Sequence, residues 1–166
     1  MRASTLAFAF AFAATFANTV SAQEVGRPAP SFDVPGAAAN VRLADLKGKV
    51  VYVDFWASWC APCKQSFPWM NEMQAKYGPR GLQIVGVTVD RKREDAEKFL
   101  ASTPAKFMVA FDTTGKVAEA YRPKGMPTSY LIGPDGVVRA VHVGFKDSDK
   151  AALEHEIEAA LAMARK

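Results

Sequence analysis

The stretch that decides the fold is residues 50–64, VVYVDFWASWCAPCK. Its opening segment, VVYVDFW, is β-branched or aromatic at nearly every position, which is typical of a strand buried on both faces. Two cysteines follow, Cys60 and Cys63, with alanine and proline between them. Proline suits the first turn of a helix, where its missing N–H costs nothing. The stretch therefore predicts a buried strand, a short loop and a helix that begins at the cysteines.

The rest of the chain predicts further strands and helices in alternation. β-branched and aromatic runs indicate strands, and apolar residues at three- or four-residue spacing indicate helices. We expect a short hairpin within residues 32–43, strands at 50–56, 82–89, 107–111, 128–132 and 137–143, and helices at 61–77, 93–102, 114–121 and 147–163. This order predicts an α/β fold with a central mixed β-sheet flanked by helices on both faces.

The N-terminus differs in character from the remainder. Arg2 is followed by an apolar or small-residue run at 6–17, and no further charge occurs before Glu24. Small residues at 20–22 resemble a signal-peptidase site, so we predict a signal peptide at 1–22, a single domain at 23–166, and a periplasmic or exported protein. The apolar run is shorter than the roughly 20 residues of a membrane span. An uncleaved N-terminal anchor is the alternative, because residues 5–22 carry no charge.

Composition limits the remaining classes of function. The chain has 166 residues, of which 49% are hydrophobic and 23% are charged, as in one ordinary globular domain. Its formal net charge is only +4, and basic residues cluster only at 91–93, where Glu94 and Asp95 follow at once. Such a cluster is typical of a solvated helix start, so we expect no nucleic-acid partner.

The spacing of the two cysteines favours a reactive pair over a disulfide that stabilises the fold. A disulfide between residues this close in sequence closes a minimal loop and gains little stability. A closed zinc site needs four ligands, and the other candidates, His142 and His155, are far away in the sequence and unpaired. We therefore predict no metal and no cofactor other than a redox-active Cys60–Cys63 pair.

The predicted position of the pair explains how it would react. A helix N-terminus favours an anion, so the thiolate of Cys60 should be stabilised there and able to attack a disulfide. Cys63 lies about one turn into the helix. It is placed to attack Cys60 in the resulting mixed disulfide and to release the reduced substrate.

The chain resembles the thioredoxin superfamily over essentially its whole predicted domain. The resemblance rests on VYVDFWASWCAPCK at 51–64, on Pro68 five residues after the second cysteine, and on Gly-Met-Pro-Thr at 125–128. The exported position, the proline-rich lead-in and the extra strand and helix within 85–130 are similar to the TlpA/ResA-like branch. The resemblance implies a thioredoxin-like fold and a thiol:disulfide oxidoreductase that faces the periplasm or a membrane surface.

The resemblance also assigns a substrate-binding surface. Pro127 matches the proline that is cis in this fold, and its loop would lie against the cysteines. The backbone of Met126 would pair with a substrate segment as an added strand. Trp59 would shield the cysteines and, with Ala61 and Pro62, form the rest of the docking surface.

A carboxylate for proton transfer is implied at Asp54. It matches the buried aspartate that thioredoxins place beneath the disulfide, where it could accept the proton of Cys63. Many TlpA/ResA-like proteins instead carry a glutamate three residues after the second cysteine, where this chain has Ser66. Proton handling should therefore resemble thioredoxin, and a role specific to cytochromes is weakened.

We therefore expect a monomeric reductase of disulfides in exported proteins, such as apocytochromes or copper-site proteins, re-reduced by a membrane thiol electron donor. Strongly oxidising relatives carry histidine between the cysteines, and this chain does not. A dithiol oxidase and a copper-binding chaperone using Cys60, Cys63 and His142 remain the alternatives. Peroxide reduction would need Pro-x-x-x-Thr-x-x-Cys, and Val53 and Ala57 stand at those positions.

Overall fold

The computed structural model describes residues 25–164, so the predicted signal peptide at 1–22 lies outside the described residues. The strands are β1 (Asp33–Val34), β2 (Val41–Arg42), β3 (Val50–Trp56), β4 (Leu82–Thr88), β5 (Met108–Phe111), β6 (Thr128–Ile132) and β7 (Val138–Val143). The α-helices are α1 (Ala61–Tyr77), α2 (Arg93–Ser102), α3 (Lys116–Tyr121) and α4 (Lys150–Met163). Short 3-10 turns cover Leu43–Leu46, Gly78–Arg80 and Asp147–Asp149.

A mixed sheet forms the centre of the fold, in the order β5-β4-β3-β6-β7. β3 pairs in parallel with β4 and antiparallel with β6, while β6 and β7 form an antiparallel hairpin. All residues of β3 are buried, as its continuous apolar sequence predicts for a central strand. β1 and β2 form the small predicted hairpin.

Helices cover both faces of the sheet, which confirms the predicted architecture. On one face, Tyr52 and Trp56 of β3 share a core with Phe67 of α1, Phe99 of α2 and Ile157 of α4. On the other face, the alternate β3 residues pack with α3 and the N-terminal hairpin. The first of these faces contains both cysteines.

The predicted boundaries differ from the structure mainly at helix starts. The helix predicted from residue 114 begins at Lys116, because Gly115 has a left-handed backbone (φ 77°) that ends the preceding turn. The helix predicted from residue 147 opens with a 3-10 turn and becomes an α-helix at Lys150. In α2, Ala96 and Phe99 are buried as predicted, but Leu100 is only half-buried.

Candidate active site

The cysteine pair lies where the chain leaves β3 and enters α1. Cys60 is the N-cap of α1, with an extended backbone, and its Sγ accepts a hydrogen bond from the Cys63 N–H at 3.2 Å. The two sulfurs form a disulfide. Cys60 is 3% exposed and Cys63 is fully buried, whereas Ala61 and Pro62 between them are exposed. Of the two cysteines, Cys60 is the one that retains slight exposure, so we expect an incoming thiol or disulfide to approach the pair from its side.

The tryptophan before the pair has a different environment from the one that ends β3. The Trp59 side chain is 70% exposed, while Trp56 is fully buried and packs against Phe67 and Phe99. Single exposed large apolar side chains are unremarkable. Here the exposed ring is adjacent in sequence to the reactive sulfur, which fits the predicted docking role.

The Met126–Pro127 peptide bond is cis, as the resemblance implies. Because Phe55 of β3 is paired with Thr128, Pro127 lies at the same end of the sheet as the loop that carries the cysteines. Pro127 is buried, Met126 is half-buried, and the Pro127 carbonyl accepts from the Gly144 N–H at 2.7 Å. The loop is therefore anchored to β6 and to the end of β7.

Asp54 lies inside the sheet, on the face that α1 and the cysteines cover. It is 2% exposed, and its Oδ2 has no hydrogen-bond partner within the described residues. Burial raises the pKa of this carboxyl well above its usual range, because an ionised carboxylate loses its hydration there. The buried indole nitrogens of Trp56 and Trp69 also have no hydrogen-bond partner among residues 25–164. A carboxyl in this environment is suited to taking up a proton.

A second buried aspartate, Asp90, was not foreseen from the sequence. Its carboxylate accepts hydrogen bonds from the Ser58 N–H at 2.8 Å, the Ser58 hydroxyl at 2.9 Å and the Thr88 hydroxyl at 2.8 Å. These bonds attach the cysteine loop to the end of β4. Its position in the sequence could have identified it. An aspartate just after a buried strand is expected at the same edge of the sheet as the cysteine loop.

Ser66 is buried but engaged with the helix backbone. Its hydroxyl donates to the Cys63 carbonyl oxygen at 3.1 Å. The position at which many branch members carry glutamate is therefore occupied here by a hydroxyl already used within α1. Asp54, which is buried on the face of the sheet that contains Cys63, therefore stays the predicted acceptor of the Cys63 proton.

The two histidines lie apart from the cysteines in the sequence and differ from each other. His142 of β7 is bonded through Nε2 to Glu156 Oε2 at 2.6 Å, and His155 is exposed on α4. Across residues 25–164, the structure contains no group of three or more histidine, cysteine or acidic side chains arranged to hold a metal.

Comparison with known proteins gives one family and a consistent group of relatives. The AhpC/TSA family model matches residues 25–141. The thiol-disulfide oxidoreductase ResA of Bacillus subtilis is 38% identical over 134 residues, covering 79% of this chain and 73% of the relative. ResA of Geobacillus thermodenitrificans is 33% identical over 153 residues, covering 89% and 87% of the two chains.

Solved structures share the fold over most of the chain. A Chlorobium tepidum protein assigned as thiol:disulfide interchange protein DsbE is 56% identical and superposes with a TM-score of 0.83, covering 84% of this chain and 99% of its own. A protein from Neisseria meningitidis assigned as a thioredoxin is 29% identical with a TM-score of 0.71, covering 81% and 89%. The fold of this chain is thus shared with a group of solved thiol-disulfide oxidoreductases and thioredoxin-like proteins.

Proposed function

The chain belongs to the AhpC/TSA family and to the ResA-type thiol-disulfide oxidoreductases of the thioredoxin superfamily, and from this we propose that its dithiol form reduces disulfides in exported proteins. The observation that carries the direction is the Ala61-Pro62 pair between the cysteines. Neither side chain can stabilise the Cys60 thiolate, and the hydrogen bond to Cys60 Sγ comes from the Cys63 N–H. A strongly oxidising pair needs more stabilisation of its reduced form than this.

The proposed reaction moves two electrons from the cysteine pair to the substrate. The Cys60 thiolate attacks one substrate sulfur, and the substrate disulfide breaks, leaving one substrate thiolate and a mixed disulfide on Cys60. Cys63 then gives its proton to the Asp54 carboxylate, and its sulfur attacks Cys60. The bond between Cys60 and the substrate breaks, and the second substrate sulfur leaves as a thiolate. The enzyme is left with the Cys60–Cys63 disulfide.

Substrate binding is proposed at the exposed surface formed by the residues that flank Cys60. Trp59, Ala61 and Pro62 would contact an extended substrate segment, and the Met126 backbone would pair with that segment as an added strand. The buried cis Pro127 would hold this loop in place. These roles require the substrate disulfide to approach Cys60 and not the buried Cys63.

Export is proposed from the sequence of the N-terminal segment. Its positive charge, apolar run and small residues before Gln23 fit a signal peptide, retained or cleaved. Among residues 25–164, no helix combines the length and apolar character needed to cross a bilayer. The proposed partners are exported proteins with disulfides, with apocytochromes and copper-site proteins as the classes to test, and a membrane thiol donor that restores the dithiol.

The copper-chaperone alternative is less well supported. It needs an imidazole beside the cysteines, but His142 Nε2 is already bonded to Glu156. Copper titration followed by absorption, with Cys63→Ser as the control, separates the two functions. Stable stoichiometric Cu(I) binding that is lost in the variant would favour the chaperone.

The direction of electron transfer is tested by assaying the dithiol form of the protein as a reductant and the disulfide form as an oxidant. We expect the dithiol form to reduce insulin disulfides in the presence of a thiol donor, and the disulfide form to be a poor oxidant of reduced, unfolded ribonuclease. Rapid oxidation of ribonuclease together with slow insulin reduction would reverse the proposed direction.

A further inference from the structure

A row of polar side chains crosses the sheet from Asp54 to the surface. Asp54 of β3 is paired with Ser129 of β6, and Ser129 is paired with His142 of β7. Residues directly opposite each other in a sheet point to the same face. Asp54, Ser129 and His142 therefore lie side by side on the face that contains the cysteines, and we call them the polar row.

Two hydrogen bonds connect the polar row to neighbouring groups. The Tyr52 hydroxyl, which lies on the same face two residues before Asp54, donates to Ser129 Oγ at 2.7 Å. His142 Nε2 is bonded to Glu156 Oε2 of α4 at 2.6 Å. Ser129 accepts from Tyr52 and so keeps its own proton to donate elsewhere.

Exposure increases along the row. Tyr52, Asp54 and Ser129 are buried, whereas the side chains of His142 and Glu156 are 30% and 38% exposed. After burial, the charge of Asp54 and that of Glu156 are further causes that raise the pKa of Tyr52. The carboxylates at both ends of the row thus act on the pKa of Tyr52 in the same direction.

The register brings the members of the row close together without joining them by direct hydrogen bonds. Opposite residues in antiparallel strands have Cβ atoms about 4.5–5.5 Å apart, a separation that one bridging water per step can span. Asp54 Oδ2 and Trp56 Nε1 both lack partners within the described residues. On the other side of Asp54, the paired residue of β4 is Gly86, which has no side chain. The Trp56 indole nitrogen lies over this glycine, 3.1 Å from where a Cβ atom would stand.

We propose that this row carries protons between Asp54 and the solvent, with Ser129 as the relay and His142 with Glu156 as the surface terminus. The proton of the Asp54 carboxyl passes to Ser129 Oγ, the Ser129 proton passes toward His142, and one proton leaves through His142 and Glu156. No electrons move. The inference rests on the proposed role of Asp54 as acceptor of the Cys63 proton. The carboxyl that takes the Cys63 proton in one half-reaction can return a proton in the other, and the row would let it exchange that proton with solvent in the interval between them.

The experiment measures the exchange of the Asp54 proton in the oxidised protein, where neither cysteine titrates. Carboxyl carbons are labelled with ¹³C, and the interconversion rate of protonated and ionised Asp54 is taken from line shapes and relaxation dispersion across the titration. We expect Ser129→Ala and His142→Gln each to slow this rate by about 100-fold, the lower end for loss of an acid–base partner. Ser129→Thr, which keeps a hydroxyl, should retain the wild-type rate.

The control is His155→Gln, because His155 is the other histidine of the chain and is exposed on α4 next to Glu156. It should leave exchange at Asp54 unchanged. Wild-type exchange in both Ser129→Ala and His142→Gln would overturn the route and indicate proton entry from the Cys60 side. This failure is distinct from failure of the proposed role of Asp54, which would appear as unchanged resolution of the mixed disulfide in Asp54→Asn. It is also distinct from failure of the proposed function, which would appear as rapid oxidation of ribonuclease with slow reduction of insulin.

Discussion

Cys63→Ser should accumulate a covalent complex in which Cys60 is joined to the substrate, while Cys60→Ser should form none. Cys60 is the helix N-cap and retains slight exposure, so it should attack first, and the fully buried Cys63 should act only on the mixed disulfide. Turnover should fall by at least about 1,000-fold in either variant, since each removes a group that forms a covalent bond. Non-reducing gels and intact-mass spectrometry of the trapped species check the result.

A variant without cysteines serves as the negative control for this experiment. It contains only two cysteines, so the double serine variant has no thiol and any adduct it forms is not a disulfide. A substrate adduct in Cys60→Ser that matches the one in Cys63→Ser would show that Cys63 is open to direct attack. It would contradict the assignment of the nucleophile.

Asp54→Asn should stabilise the protein at neutral pH. The pKa of Asp54 in the folded protein lies well above 3.8, its usual value, because of burial. Between those two values the folded protein binds more protons than the unfolded chain, so the free energy of unfolding falls as pH rises through this window. Asparagine cannot ionise, so the variant avoids this loss. We expect its free energy of unfolding to exceed that of the wild type by more than about 1 kcal/mol at pH 7 or above, where the lower bound is the cost of burying an unpaired polar group.

The matched control is Asp112→Asn. Asp112 is just as buried, but its carboxylate accepts from the Ala118 N–H at 2.9 Å and from the Thr114 hydroxyl at 3.3 Å. Replacing a carboxylate that is hydrogen-bonded should lower the free energy of unfolding. Urea unfolding from pH 4 to 9 compares the two variants with the wild type. The free energy of unfolding should fall more steeply with pH in the wild type than in Asp54→Asn, and equal pH dependence in the two proteins would contradict the prediction.

The same Asp54→Asn variant should slow the second half of the reaction. Without the carboxylate, Cys63 loses its proton acceptor, so release of the mixed disulfide slows more than its formation at neutral pH. Stopped-flow measurement of both steps across pH 6 to 9, roughly one or two units around a thiol pKa, separates them. Identical pH profiles in wild type and variant would remove Asp54 from the mechanism.

Local sequence pattern was enough to predict most of the fold. β3 is buried on both faces because its sequence is apolar on both, and α1 begins at Ala61 as the proline and the preceding strand indicate. The burial of Asp54 followed from the same run. The helix starts at Lys116 and Lys150 were harder to place, because a left-handed glycine and a 3-10 turn decide them.

The contacts around the site depend on pairings that local patterns do not encode. Ser129 meets Asp54, 75 positions earlier in the sequence, only through the register of β3 with β6, and His142 joins them only through the register of the next hairpin. The bonds of Asp90 to Ser58 likewise require two parallel strands to end together. A one-residue change of register would turn these side chains to the opposite face.

The reduction potential of the Cys60–Cys63 pair, measured by equilibration of the purified protein in redox buffers, distinguishes a disulfide reductase from a dithiol oxidase. Ala61 and Pro62 add no stabilisation to the thiolate beyond that of the helix N-terminus. We therefore expect a value near that of thioredoxin, about −270 mV. A value near −120 mV, as in a strong dithiol oxidase, would contradict it and assign the chain to disulfide donation.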